Sequence, residues 1–214
     1  MAAAVIVPVS CIASEPVQWV DIGARVDDSK RLTPEQRERA YSRIVELAAV
    51  GVGIVPADVV DERNILQARL LAMQHAVDDL HVQPDVVLVD GLHTPRLSFP
   101  CRPIVQGDHL SYSIACASIV AKVLRDALMT FYHRVFPEYD FHRHKGYGTS
   151  RHLDALRRCG VSPLHRATFQ PVADALRSVR PFVEGRSDAA TTECNDGAAM
   201  VATPSEADQH VLAA

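Results

Sequence analysis

Between Val86 and Val89 the chain reads VVLV, and it then turns at Asp90-Gly91. Four apolar, mostly β-branched residues bounded by a turn dipeptide are too short for a helix and read as a buried strand. A helical pattern precedes them. Leu66, Leu70, Met73, Val77 and Leu80 fall three and four apart, one stripe that predicts a helix from about residue 61 to residue 80 with its apolar face in the core. A strand placed directly after such a helix, and followed by further strand and helix patterns, restricts the chain to an α/β domain.

The remaining patterns fill in that alternation. Ala2 to Val9 is an apolar strand, and VDDSKRL (Val26 to Leu32) is a linker. Thr33 caps the next helix, with Pro34 at its first position and Gln36 at its third, the arrangement of a capping box. The apolar face of this helix is Ala40, Tyr41, Ile44, Val45 and Ala48, and it is expected to stop at Gly51, within the short strand VGVGIV (Val50 to Val55). Further on, RPIVQ predicts a strand leading into Gly107-Asp108. Ser111 opens a long helix, SYSIACASIVAKVLRDALMTFYHRVF, whose first turns are apolar or small on every side and so lie between layers. HRHKGYGTSRH is a glycine-punctuated loop, and a helix from about Arg151 to Cys159 ends at Gly160. Residues 1–186 are expected to form one domain. Residues 187–214, rich in Ala, Thr, Ser, Asp and Glu, carry too little apolar surface to offset chain entropy and are expected to be a disordered acidic tail.

Composition narrows the class. Apolar residues make up 48% of the chain, as in a soluble globular protein. The five cysteines (Cys11, Cys101, Cys116, Cys159 and Cys194) form no CxxC pair, which argues for a reducing compartment and against a zinc knuckle or a disulfide framework. The opening MAAAVIVPVSCIAS has no basic residue before Arg25 and is too short to span a membrane, so it reads as a strand in a cytoplasmic protein. The net charge of −4 hides a polarity: the tail carries five acids and no Lys or Arg, which leaves a body of +1. Between Arg96 and Arg166 stand eleven Lys or Arg against five acids. That excess is either a solvated face or a patch for a phosphate-bearing partner, and charge alone does not choose.

Two aspartates stand out. Asp90 and Asp108 each follow a short apolar run, and each adjoins a glycine, Gly91 and Gly107. Strand-end carboxylates at one sheet edge repel each other, and a divalent cation with hard oxygen ligands, Mg2+ or Mn2+, is the usual resolution. Two such ions can activate water for an in-line phosphodiester cleavage. The alternative is that each Asp merely closes a turn. His142 and His144 flank Arg143 on what reads as an extended, solvated loop, with no third His or Cys at ligand spacing. No nucleophile elbow, GxGxxG or Walker loop is present.

Five segments occur in order: NILQARLLAMQHAV (Asn64 to Val77), VLVDG ending at Gly91, GDHLSYSIACASIVAKVLRD (Gly107 to Asp126), HKGYGTSRHLDALRRCG and SPLHRATF. Together with DSKRLT (Asp28 to Thr33), they closely resemble bacterial ribonuclease HII, the type 2 ribonuclease H, over roughly residues 2 to 172. The resemblance implies a ribonuclease H-like mixed sheet flanked by helices, plus a C-terminal helical region. It also implies hydrolysis of the RNA strand of RNA–DNA hybrids, including single ribonucleotides embedded in duplex DNA, cut on their 5′ side with Mn2+ or Mg2+. Asp90 and Asp108 match the family's third and fourth metal-binding carboxylates. Ser29 and Lys30 lie in its phosphate-contacting segment, Lys145 in its substrate-binding loop, and Tyr147 matches the tyrosine that packs on the sugar. Lys122, Arg125 and Asp126 are expected to support the site from the adjoining helix. A monomer is the family expectation.

One part of the family pattern is not matched. DExGRG, carried on the family's first and central strand, does not occur in this sequence, and DIGAR (Asp21 to Arg25) is no substitute. Two carboxylates and the Gly-Arg-Gly backbone that reads the ribose 2′-hydroxyl are therefore unaccounted for, and the strand bearing them is expected upstream of Met1. Without it, the neighbouring strands lose hydrogen-bond partners and Mg2+ is held weakly. Residues 1–214 alone are then expected to be unstable and nearly inactive. A hybrid-binding protein that does not cleave is the second reading, and an α/β domain for another phosphate ligand is the third.

Overall fold

The structure is a computed structural model and describes residues 1–8 and 32–178. The segment holding Ser29 and Lys30, the DIGAR stretch and the acidic tail all lie outside the described residues. Strand β1 (Ala2–Ile6) pairs antiparallel with β2 (Ala49–Gly53), Ala2 opposite Gly53 and Ile6 opposite Ala49. Between them in sequence comes helix α1 (Pro34–Leu47), whose capping box forms as its residue types dictate: Gln36 N donates to Thr33 Oγ1 (3.3 Å) and Thr33 N to Gln36 Oε1 (2.9 Å). Ala40 and Ile44 of α1 are fully buried against Cys116, Ile119 and Val120, while Val45, expected on the same face, is half exposed.

The strand β2 begins earlier than expected, and Gly51 is not a helix stop. Its role is close packing. A Cβ at Gly51 would stand 2.1 Å from the Ala76 carbonyl oxygen, and one at Gly53 would stand 1.9 Å from that of Ala72. Side chains alternate across a strand, so Ala3, Val5 and Val50 face the core shared with α1, while Gly51 and Gly53 present bare backbone to helix α2 (Ala57–Asp78). The buried ridge of α2 is accordingly Ala68, Ala72 and Ala76 with Val77. Leu66, Leu70, Met73 and Leu80, read from their spacing as core, are only half-buried. Small-on-small contact won over the larger stripe because it lets helix and strand backbones meet. The helix also starts earlier than its pattern suggested, because Asn64 (φ 68°) breaks it and re-caps the second part, its Oδ1 accepting from Leu66 N and Gln67 N.

Strand β3 (Val87–Asp90) runs parallel to β4 (Cys101–Ile104), with Asp90 opposite Ile104. Among the described residues these pairs are two separate two-stranded sheets. Between β1 and β3 lies a mostly apolar groove of about 630 Å³, lined also by Met73 and Val77 of α2 and by Ile114 and Ala117. A one-turn helix α3 (Gly107–Leu110) leads through Ser111 into the long α4 (Tyr112–Val135), whose buried residues all lie in its first half. A single 3-10 turn (Pro137–Tyr139), a helical turn α5 (Phe141–His144), α6 (Ser150–Cys159) and α7 (Gln170–Ser178) complete the described chain. They enclose a second core of Tyr139, Phe141, Ala155, Leu156 and Val172. Gly160 (φ 78°) ends α6, as the sequence indicated, and Thr149 caps its start.

Candidate active site

Asp90 is the last residue of β3, and the parallel register carries β4 forward beside it until Gln106, in a left-handed conformation, turns the chain into α3. The turn brings Gly107 N within 2.9 Å of Asp90 Oδ1, to which it donates. A side chain at Gly107 would meet Ile114 Cδ1 at 2.6 Å and Asp90 Oδ1 at 3.4 Å, so the glycine permits the approach. Asp108 follows at once, in the first turn of α3, with His109 Nε2 4.0 Å from its Oδ1. The structure thus brings the two predicted carboxylates to one corner, where Asp90 is exposed and Asp108 half-buried. Among the described residues no third carboxylate, His or Cys joins them to complete a three-ligand cluster. The donors that are present are hard oxygens, which suit Mg2+ or Mn2+. The second carboxylate oxygen of Asp90 is left to solvent.

Arg69, which the sequence reading did not single out, reaches this corner from α2, its guanidinium about 4.0 Å from where a Gly91 side chain would begin. Its approach to Gly91 joins segments far apart in the chain, which a periodicity does not report.

The loop after α5 carries Lys145 and Tyr147. The Tyr147 ring is exposed and lies over α4, with the Arg125 guanidinium 5.2 Å and Lys122 Nζ 6.0 Å from its centroid. Lys122 is in turn paired with Asp126 at 2.8 Å. Lys122 and Arg125 thus meet the loop from the helix. Lys145 is held too: its Nζ donates to Thr130 Oγ1 (2.8 Å) and to the Asp126 carbonyl (3.3 Å), which ties the loop to α4.

The histidines depart from expectation. His142 and His144 sit on a helical turn, which points them apart, and His144 is buried. A relay of neutral imidazoles fixes the loop from below. Ser162 N donates to His165 Nδ1 (3.1 Å), His165 and His152 share a proton between their Nε2 atoms (2.9 Å), and His152 Nδ1 meets the Tyr147 carbonyl (2.9 Å). Since a carbonyl can only accept, His152 carries its proton on Nδ1, and His165 then donates from Nε2. No site in this relay accepts a further proton without breaking a bond. Burial, together with the neighbouring His152, pushes His165 down to about 4, and burial likewise lowers His152. On the next turn Asp61 of α2 accepts from Ala167 N, Thr168 N and the Thr168 hydroxyl, and these bonds, led by the hydroxyl, hold its carboxyl below the usual range. Cys116 is fully buried, which pushes its thiol up to about 12 and leaves it inert.

Known proteins resemble this chain in both sequence and fold. The family model described as Ribonuclease HII matches residues 7–172. Ribonuclease HII of Thermotoga maritima is 47% identical over 161 residues, which cover 74% of this chain and 67% of that protein. Ribonuclease HII of Chlamydia pneumoniae is 48% identical over 149 residues, 69% of each chain. Among solved structures, ribonuclease H2 of Pyrococcus horikoshii superposes with a TM-score of 0.65 at 20% identity, over 83% of this chain and 92% of that one. Ribonuclease HII of Archaeoglobus fulgidus, solved in a complex with PCNA, gives 0.62 at 19% identity, over 81% and 87%.

Proposed function

The chain belongs to the ribonuclease HII family, and from that premise we propose that it is a divalent-metal-dependent endonuclease acting on the RNA strand of RNA–DNA hybrids and at single ribonucleotides in duplex DNA. The observation that carries this reading is the bond from Gly107 N to Asp90 Oδ1, which sets the start of α3, with Asp108 in its first turn, beside the exposed end of β3. Bound Mn2+ or Mg2+ supplies charge neutralisation and an activated water for in-line displacement at the phosphorus. Asp90 and Asp108 hold the cation. The exposed Tyr147 ring offers a flat apolar face to the sugar, and Lys145 stands at the base of that loop. Ser29 and Lys30 contact substrate phosphate. The basic side chains between Arg96 and Arg166 attract the polyanion over a longer range.

A carboxylate pair with no third member among the described residues favours a second reading in which the chain binds hybrid without cutting it. One experiment separates the two. A labelled duplex with a single ribonucleotide, and a full RNA–DNA hybrid, are incubated with the protein and Mn2+ or Mg2+, while binding is followed against salt. Metal-dependent cleavage 5′ of the ribonucleotide, abolished in Asp90→Asn, establishes the enzyme. Salt-sensitive binding of hybrid with no product establishes the binder. Neither binding nor product removes both readings.

A further inference from the structure

At the opposite end of α4 from the carboxylate corner, three side chains converge that the nuclease reading does not use. His133 lies in the last turn of α4, Asp140 caps the 3-10 turn in a left-handed conformation (φ 61°), and His142 sits in α5. One ligand atom from each lies within 4.8 Å of the other two, and all three residues are half-buried. The two imidazole rings are 4.0 Å apart between centroids. Nδ1 of His133 and Nδ1 of His142 are both shielded from solvent and lack a hydrogen-bond partner. His142 Nδ1 is only 3.0 Å from Asp140 Oδ1, yet out of line for a hydrogen bond. Two shielded ring nitrogens without hydrogen-bond partners are costly as they stand, and a cation held by these three side chains offers relief.

We propose that His133, Asp140 and His142 form a second metal site, distinct from Asp90 and Asp108, for a divalent transition ion of the zinc class. Two imidazoles and one carboxylate are the donors that such ions prefer, whereas Mg2+ and Mn2+ favour all-oxygen sites. Ligands of a tetrahedral zinc with bonds of about 2.1 Å sit roughly 3.4 Å apart, so closing this site takes about an ångström of side-chain rotation. Asp140 has one oxygen to give, because Arg151 Nε (2.8 Å) and Arg143 Nε (3.6 Å) share its Oδ2 and leave Oδ1 toward the histidines. Those guanidinium groups weaken the site for any ion held by charge alone, which further disfavours Mg2+. When filled, the site clips the end of α4 to the turn that leads directly into Lys145 and Tyr147.

The test is a Zn2+ titration against a chromophoric competitor, with Mg2+ in excess to occupy the carboxylate corner, and Co2+ absorption as a spectroscopic check on imidazole ligation. One Zn2+ per chain is expected, with Tm raised by several degrees. His133→Ala and His142→Ala each lose at least about tenfold in affinity. Should the helix end be disturbed in the first, His142→Asn carries the same comparison from the other side. The exposed His81→Ala and the Asp90→Asn/Asp108→Asn pair keep wild-type Zn2+ affinity. Unchanged binding in the His133→Ala/His142→Ala double variant overturns the proposal. So does loss of binding in the carboxylate pair, or a site that takes up only a proton.

Discussion

Asp90 does two things with its two oxygens: one accepts the amide of Gly107 and the other faces solvent. An asparagine keeps the accepting oxygen and loses the charge. Asp90→Asn is therefore expected to unfold within a degree or two of wild type while metal-dependent cleavage falls by on the order of a hundredfold or more. Asp90→Ala also loses the hydrogen bond and about 1 kcal/mol of stability. Thermal melts alongside single-turnover rates check both, and equal rates in Asp90→Asn and wild type exclude the aspartate from the chemistry. Tyr147 makes a different prediction, since its ring is exposed and its hydroxyl makes no hydrogen bond among the described residues. Tyr147→Phe keeps the flat face and should bind hybrid as wild type does, whereas Tyr147→Ala should weaken binding by about tenfold, the equivalent of one lost stacking contact.

At the scale of elements, the seat of α2 on β2 has no spare volume. Gly53 meets the Ala72 carbonyl where any side chain would stand, and a backbone oxygen cannot swing aside as a rotamer can. Gly53→Ala is expected to cost about 1–3 kcal/mol, read as a lower midpoint in urea with an unchanged slope. The seat also sets where Met73 and Val77 line the groove and where Arg69 reaches the carboxylate corner. The same substitution should therefore weaken substrate handling at a site it does not touch. A Gly53→Ala protein as stable as wild type would mean that helix and strand are not pressed together in this way.

For the molecule as a whole, the relay from Ser162 through His165 and His152 to Tyr147 links the second core to the loop above it. His165 is held neutral, at about 4 against 6.5 when unfolded. The unfolded chain therefore binds more protons between those values, so stability rises with pH there. The contribution is complete above about pH 6.5 and is lost as pH falls toward 4, worth about 1–2 kcal/mol after solvent screening. Urea midpoints measured from pH 4 to pH 7 should show that slope, flattened in His165→Asn. An identical slope in the variant assigns the acid sensitivity elsewhere. Among the described residues, no helix is long and apolar enough to cross a membrane.

Elements whose signals are local were readable from sequence alone. The capping box at Thr33, the positive-φ glycine after Cys159 and the β-branched run before Asp90 each depend on neighbours within a few residues, and each forms where the pattern puts it. The five ordered motifs likewise identified the family and singled out Asp90 and Asp108 as candidates, because residue types in sequence order survive without coordinates. What the tertiary structure decided were contacts between segments far apart in the chain. Leucine spacing on α2 marked an amphipathic helix but could not show that Gly51 and Gly53 would draw its alanine ridge inward instead. His144, read with His142 as part of a solvated loop, is buried instead, and His152 and His165, which no local pattern joins, meet only because they arrive from α6 and the loop beyond it. His133 acquired its partners only when the chain turned back at Asp140. Periodicity reports which face of an element is apolar, whereas the choice of partner for that face is made by the fit of backbones and the burial of polar groups, and these exist only once the chain has folded.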